Sequence, residues 1–246
     1  MDILHIVSGV FVGCGFLCAL IVFLDINMGR YQAMPIMNIA WIITCSYSCF
    51  LGLFMYYKYG RAEKAAMQMG DMAAKGEAKH GCGAKMGMGD AMKPAKEKPM
   101  WVKVYISSTH CGAGCGAADI FSENLIFYCG ITFFGAAIWA SFIIDYIFAL
   151  IFGVVFQYLN IRPMRPELTR GQAWANAIKA DVVSLTSFQL GMYGWIAIVH
   201  FVFQMPLAAN TFTFWFMMQI GLTIGLLTTY PVNYILIKTG IKVPCA

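Results

Sequence analysis

The stretch best suited to chemistry reads Thr109-His110-Cys111-Gly112-Ala113-Gly114-Cys115-Gly116-Ala117-Ala118-Asp119, with Glu123 four residues further on. Cys115, Asp119 and Glu123 recur every fourth residue, a spacing that lines them along one face of a helix. Cys111 joins the stripe only if the helix starts that early. The three alternating glycines argue against this and for a tight loop with exposed backbone N–H groups. Thiolate and imidazole are the soft and borderline ligands that select Cu(I) or Zn(II), while carboxylates serve protons or harder ions. Ionisable groups inside a span are costly and usually functional. His110, Cys111 and Cys115 are therefore candidate metal ligands, and Asp119 and Glu123 candidate members of an ion or proton pathway. The plainer alternative is that Gly and Cys only let helices pack while the acids sit in headgroup water.

Two further sulfur constellations stand out. Cys14 and Cys18 are one helical turn apart, as are Cys45 and Cys49. All four fall near the middle of two adjacent apolar segments, where antiparallel helices would converge them on a Cu(I)- or Hg(II)-type site. Cysteine also packs as a small hydrophobe, which is the competing reading and the preferred one for Cys129. Between residues 67 and 92 lie Met67, Met69, Met72, His80, Cys82, Met86, Met88 and Met92. Thioethers are weak soft ligands suited to reversible capture of Cu(I); the alternative is an amphipathic surface helix with Met as its apolar face. Asp145 and Asp181 add carboxylates to the pathway candidates, although Asp181 is also placed to pair with Lys179. Gln189, Gln219 and Asn233 add polar groups inside apolar runs. His200, Met217 and Met218 read as packing residues.

Residues 101–242 resemble a family of bacterial integral membrane proteins catalogued as a domain of unknown function. The resemblance lies in the His110–Cys115 motif with its following Asp119 and Glu123. It continues in Pro163-Met164-Arg165, Lys179-Ala180-Asp181, Gly191-Met192, Trp215 to Gln219 and Tyr230-Pro231-Val232-Asn233. Thr109 stands where the family's signature has Ser, and Gln189 where it has Glu. The resemblance implies an architecture and no settled activity.

The elements that must position these groups are membrane helices. Of 246 residues, 60% are hydrophobic and 12% charged, and the mean hydropathy is +0.67; a soluble domain carries about 25% charged residues. A span needs about 20 predominantly apolar residues. Leu4–Leu24, Pro35–Tyr57, two spans within 117–160 that turn near Trp139–Phe142, Thr169–Phe203 and Thr211–Ile237 meet that need. The expectation is an all-α, polytopic transmembrane helix bundle of about six spans. It divides into a hairpin (1–57), a Met/Lys/Gly-rich cytoplasmic loop (58–100) and a four-span domain (101–246). With that loop and both termini inside, sixteen of the 17 Lys and Arg obey the positive-inside rule and only Arg30 does not. The first apolar run, without a basic flank or cleavage site, reads as a retained anchor. Gly9-xxx-Gly13 and Gly221-xxx-Gly225 offer faces for close helix packing.

Several functions are disfavoured. The +5 charge sits in loops where topology explains it, so nucleic acid is no partner. No nucleotide fingerprint is present, no Lys lies deep in a span for retinal, and His5 and His110, which alone approach the paired depth that haem needs, lie near the cytoplasmic edge. Every close Cys pair is Cys-x3-Cys rather than the Cys-x-x-Cys of thiol oxidoreductases. The leading expectation is a soft-metal transporter or channel of a prokaryotic inner membrane, copper(I) first. Its partners would be the lipid bilayer, a cytoplasmic metal chaperone and further copies of the chain. A membrane thiol-redox enzyme or redox subunit is the rival, and a structural subunit of a membrane assembly the third reading.

Overall fold

The computed structural model describes residues 3–32, 34–62, 98–164 and 167–242. It contains six long helices: α1 (Ile3–Asn27), α2 (Pro35–Met55), α3 (Met100–Cys129), α4 (Ala137–Met164), α5 (Arg170–Ala197) and α6 (Phe212–Lys238). Two of them continue as a π-helical turn, α2 through Tyr56–Gly60 and α5 through Ile198–Val202. The expected Met/His/Cys ligands between Met67 and Met92, including His80, Cys82, Met86 and Met88, lie outside the described residues.

The distribution of side chains is that of a membrane protein. The outer surface carries Ile6, Phe16, Leu20, Phe50, Ile147, Leu190 and Leu227, while Ser108, His110, Asp119, Asp145, Asp181, Gln189 and Lys242 are buried. In water this arrangement would be inverted. Five helices (α1, α2 with its turn, α4, α5 with its turn, α6) are long and apolar enough to cross a membrane. The sixth, α3, is the polar one, and it sits between α2, α4, α5 and α6, which cover its polar stripe while Ile120, Phe121 and Tyr128 remain exposed.

Two expectations about α3 are corrected. It begins at Met100, well before the apolar run at 117, and stays helical through Gly112, Gly114 and Gly116. Its end is marked by Gly130, a left-handed cap with φ 64°, and the turn into α4 contains Gly135 at φ 81° and a lone Phe133–Ala136 bridge. The turn thus falls at 130–136 rather than at Trp139–Phe142. Further on, Thr169 caps α5 in a reciprocal pair with Gln172.

The largest departure from expectation is α2. Its backbone leaves the helical region at Cys49 (φ 46°, ψ −122°), and beyond that point the chain runs back the way it came. The Tyr56 ring lies 5.6 Å from that of Trp41, and Gln32 Nε2 donates to the Gly60 carbonyl at 2.7 Å. In a straight helix at 1.5 Å per residue, positions 41 and 56 would be about 22 Å apart. At the base, Asp25 accepts from Arg61 Nε (2.9 Å) and Nη2 (2.5 Å) and from the Tyr56 hydroxyl (3.0 Å), with Arg30 Nε at 3.6 Å. The tip is tied to α1, where the Cys49 thiol donates to the Phe11 carbonyl at 3.8 Å. Phe11 lies about 24 Å along α1 from Asn27, so α2 enters roughly two thirds of the way and returns.

This reversal changes the chain's parity. His5 meets Phe212 (5.8 Å) and Phe11 meets Phe216 (5.2 Å), so α1 and α6 run in the same direction. Tyr59 meets Trp101 (5.0 Å), which sets the start of α3 beside the end of the α2 turn. Five helices therefore traverse the bundle, and Ile3 and Lys238 lie at opposite ends. Six alternating helices would hold both termini at one end; the arrangement differs because an apolar run long enough to cross folds back on itself. Arg30, the one exception to the charge rule, donates to the Ala62 carbonyl at 3.0 Å and so joins the other described basic residues at the α6 C-terminal end.

Candidate functional site

The site is a buried polar column along α3, and glycines allow it to form. Gly112 and Gly116 face α2: a Cβ at Gly112 would strike the Tyr47 hydroxyl, and one at Gly116 would stand 3.1 Å from Ile43 Cγ2. Gly114 faces the other way, and a Cβ there would lie 3.2 Å from the Gly153 Cα on α4. A glycine costs a helix about 1 kcal/mol relative to alanine; here the cost is offset by backbone-to-backbone approach of the kind membrane helices use. Gly221 and Gly225 likewise admit Met192 and Phe188 of α5, whereas a Cβ at Gly13 would meet nothing within 4 Å among the described residues. Because α3 is helical from Met100, Cys111, Cys115, Asp119 and Glu123 do share one stripe, and all four are buried.

Toward the basic end, the stripe meets α5 and α6. The Cys111 sulfur lies 3.7 Å from Asp181 Oδ1 and 3.5 Å from Ser184 Oγ. Lys242, beyond the end of α6 and 1% exposed, inserts its ammonium here. It donates to Cys111 Sγ (2.9 Å), Asn233 Oδ1 (3.0 Å) and Ser184 Oγ (3.2 Å). Asn233 is held in turn, its amide donating to Ser108 Oγ at 3.0 Å. Asp181 is fully buried while Lys179 is exposed, so the two do not share an environment, and Lys242 acts on Asp181 only through space, without a direct hydrogen bond. Gly153 leaves room for the Asp181 carboxylate, which a Cβ there would strike.

Toward the opposite end the donors change from sulfur to oxygen. Cys115 is within electrostatic reach of Cys111 and of Asp119. Neither carboxylate oxygen of Asp119 has a hydrogen-bond partner among the described residues. It lines a largely apolar cavity of about 320 Å³ with Tyr47, Gln219 and Met218. One turn on, Glu123 accepts from Ser141 Oγ at 3.2 Å and lies close enough to Asp145 for the two carboxyls to interact, and Asp145 also accepts from Ser122. Glu123, Ser141 and His200 line a second cavity of about 230 Å³ at this end. The column therefore runs from Lys242 to a vestibule. Gln189, whose amide has no partner among the described residues, lies on α5 two turns beyond Asp181.

Other expected ligands are placed differently. His110 is buried with its ring edge-on to Phe156 at 6.0 Å, and neither nitrogen has a well-formed hydrogen-bond partner among the described residues. It does not share a focus with Cys111, because successive helical residues point about 100° apart. Cys14, Cys18, Cys45 and Cys49 are within electrostatic reach of one another around the α2 tip. They remain free thiols. No three His, Cys, Asp or Glu among the described residues are arranged to hold one ion. Sequence reasoning missed Lys242, Ser184, Ser122 and Ser141. Lys242 offered only one signal, a glycine two residues earlier where a helix had just ended.

No curated protein and no solved structure matches the chain. A family match extends over residues 100–242, nearly the range over which the resemblance was read, and it contains the whole column from Cys111 to Lys242. By that match, which covers more than half its length, the chain belongs to the family described as Domain of unknown function (DUF4396).

Proposed function

We propose that this protein is a membrane transporter or channel for a thiophilic cation, copper(I) first, which passes along α3. The observation that carries the reading is the buried stripe Cys111–Cys115–Asp119–Glu123 on a polar helix enclosed by apolar ones. A bare ion in hydrocarbon is prohibitively costly, and this stripe supplies donors at every turn. Conduction needs binding weak enough for release, and successive one- or two-ligand positions supply that better than a cage. Sulfur donors give way to Asp119, Glu123 and Asp145, which relay protons or balance charge. By the positive-inside rule the Lys242 end is cytoplasmic. It is the end where a metal chaperone would deliver or collect, in the inner membrane of a prokaryotic cell.

The test is silver(I) or copper(I) flux into proteoliposomes. Cys111→Ser/Cys115→Ser is expected to insert and fold normally while flux falls to background; unchanged flux would reduce the stripe to packing. One observation favours the rival thiol-redox reading: the Lys242 ammonium beside Cys111 is the kind of charge partner reactive cysteines have. That reading predicts reversible oxidation of Cys111 linked to a quinone, with no metal flux.

A further inference from the structure

We propose that Cys111, Asp181, Ser184 and Asn233 form a binding site for a soft monovalent cation, and that Lys242 is a tethered competitor filling it in this conformation. The inference rests on the transport reading and names its cytoplasmic entry site and the device that closes it.

The ammonium is a stand-in ion. A lysine ammonium has three donors and no acceptor, and here the three meet a sulfur, a hydroxyl oxygen and an amide oxygen at 2.9, 3.2 and 3.0 Å. The Asp181 carboxyl stands beside the thiol, 3.7 Å from Cys111 Sγ, within electrostatic range of the ammonium. These groups would serve a small monovalent cation equally well, and the thiol biases the site toward Cu(I) or Ag(I) over hard ions. All four stand on packed helices: Cys111 on α3, Asp181 and Ser184 on α5 and Asn233 on α6.

Lys242 is attached differently. It follows the end of α6, after the chain reverses at Gly240 (φ 74°). Among the described residues, short-range backbone bonds shape that turn, including Gly240 N–H to Ile237 O (3.1 Å) and Lys242 N–H to Leu236 O (3.0 Å). A swing at Gly240 would move Lys242 without unwinding a helix. A cavity of about 210 Å³ lined by Gln157, Asn176, Lys179, Gly240 and Ile241 lies beside it and provides a way in from the basic end. Exchanging one positive charge for another leaves Asp181 compensated throughout, which avoids stranding a buried carboxylate.

A plain structural counter-charge would behave with the opposite sign when removed. The full-length protein in detergent is titrated with silver(I), which stays monovalent, and the component of binding lost in Cys111→Ser is followed. Lys242→Gln and Lys242→Ala should bind this component at least about tenfold tighter, since a site filled nine-tenths of the time by its own plug shows a tenth of its intrinsic affinity. The gain should vanish in Lys242→Ala/Cys111→Ser. In the unaltered protein, silver should expel Lys242, so that a lysine-specific protease cleaves after it and intact mass records the loss of residues 243–246. Unchanged or weaker binding in both Lys242 variants overturns the plug while leaving the transport reading standing. Should those variants not fold, equal cleavage after Lys242 with and without silver overturns it. Absence of any Cys111-dependent silver binding overturns both.

Discussion

Gly153 answers two demands at once, lying against Gly114 and leaving space for the Asp181 carboxylate. A methyl group there would strike Asp181 and stand 2.6 Å from Leu185 Cδ1. Gly153→Ala is expected to lower stability by about 1–3 kcal/mol, as overpacking does, and to displace Asp181. Thermal unfolding in detergent reads the first effect and weakened Cys111-dependent silver binding the second; an unchanged melting temperature would mean that α4 shifts freely. At this scale the sequence was informative about types and periodicity. The four-residue spacing of Cys115, Asp119 and Glu123 identified the stripe before any fold was known. What it concealed was partnership, because Lys242, Ser184 and Asn233 reach Cys111 only through the packing of α5 and α6, and no local spacing encodes that.

Among the elements, α2 shows where periodicity and length stop being sufficient. Its apolar run is long enough to span, and nothing in the composition of 35–57 separates crossing from returning. The available clue was non-local: Asp25 and Arg61 are complementary charges at the two segment ends that a straight second span would hold on opposite faces. The same reversal places a cysteine at positive φ, a conformation that costs an L-residue roughly 1–2 kcal/mol. Cys49→Gly is therefore expected to raise stability by about 1 kcal/mol, read as a higher melting temperature; a lower one would show that the Cys49 side chain contributes more by packing than its backbone costs. At the base, Asp25→Asn should loosen the returning arm and increase labelling of a cysteine introduced at Tyr57. The alternating glycines of α3 misled in a related way, since they indicate a loop only when no neighbouring backbone needs the room.

At the scale of the molecule, five traversing helices put Ile3 and Lys242 at opposite ends. They also gather Arg30, Lys58, Arg61, Lys98, Lys103, Arg170, Lys179, Lys238 and Lys242 toward one end, the end at which the undescribed segments 63–97 and 165–166 begin and finish. Reporter fusions at residue 80 and after Ala246 should score cytoplasmic, and a fusion before Met1 should score external. An internal result for the N-terminal fusion would restore six crossings. The bundle class and the location of four helices were legible because hydrophobic length is a local property. The direction of the first helix relative to the last was not, since it depends on whether a single intervening segment folds back.

The tip of α2 has a consequence for how the chain is made. The Ser46 carbonyl near that tip accepts its hydrogen bond from Gln219 Nε2, 2.8 Å away and 173 residues later in the sequence. During synthesis the ribosome delivers the second apolar segment long before that donor exists. A nascent chain stopped after the first two segments lacks both Gln219 and the α3 surface on which the returning arm rests. It is free to thread segment 35–57 straight across, and the finished fold then requires that segment to be withdrawn as α6 arrives. Truncations released before and after residue 219 should accordingly differ in which side of the membrane exposes Arg61.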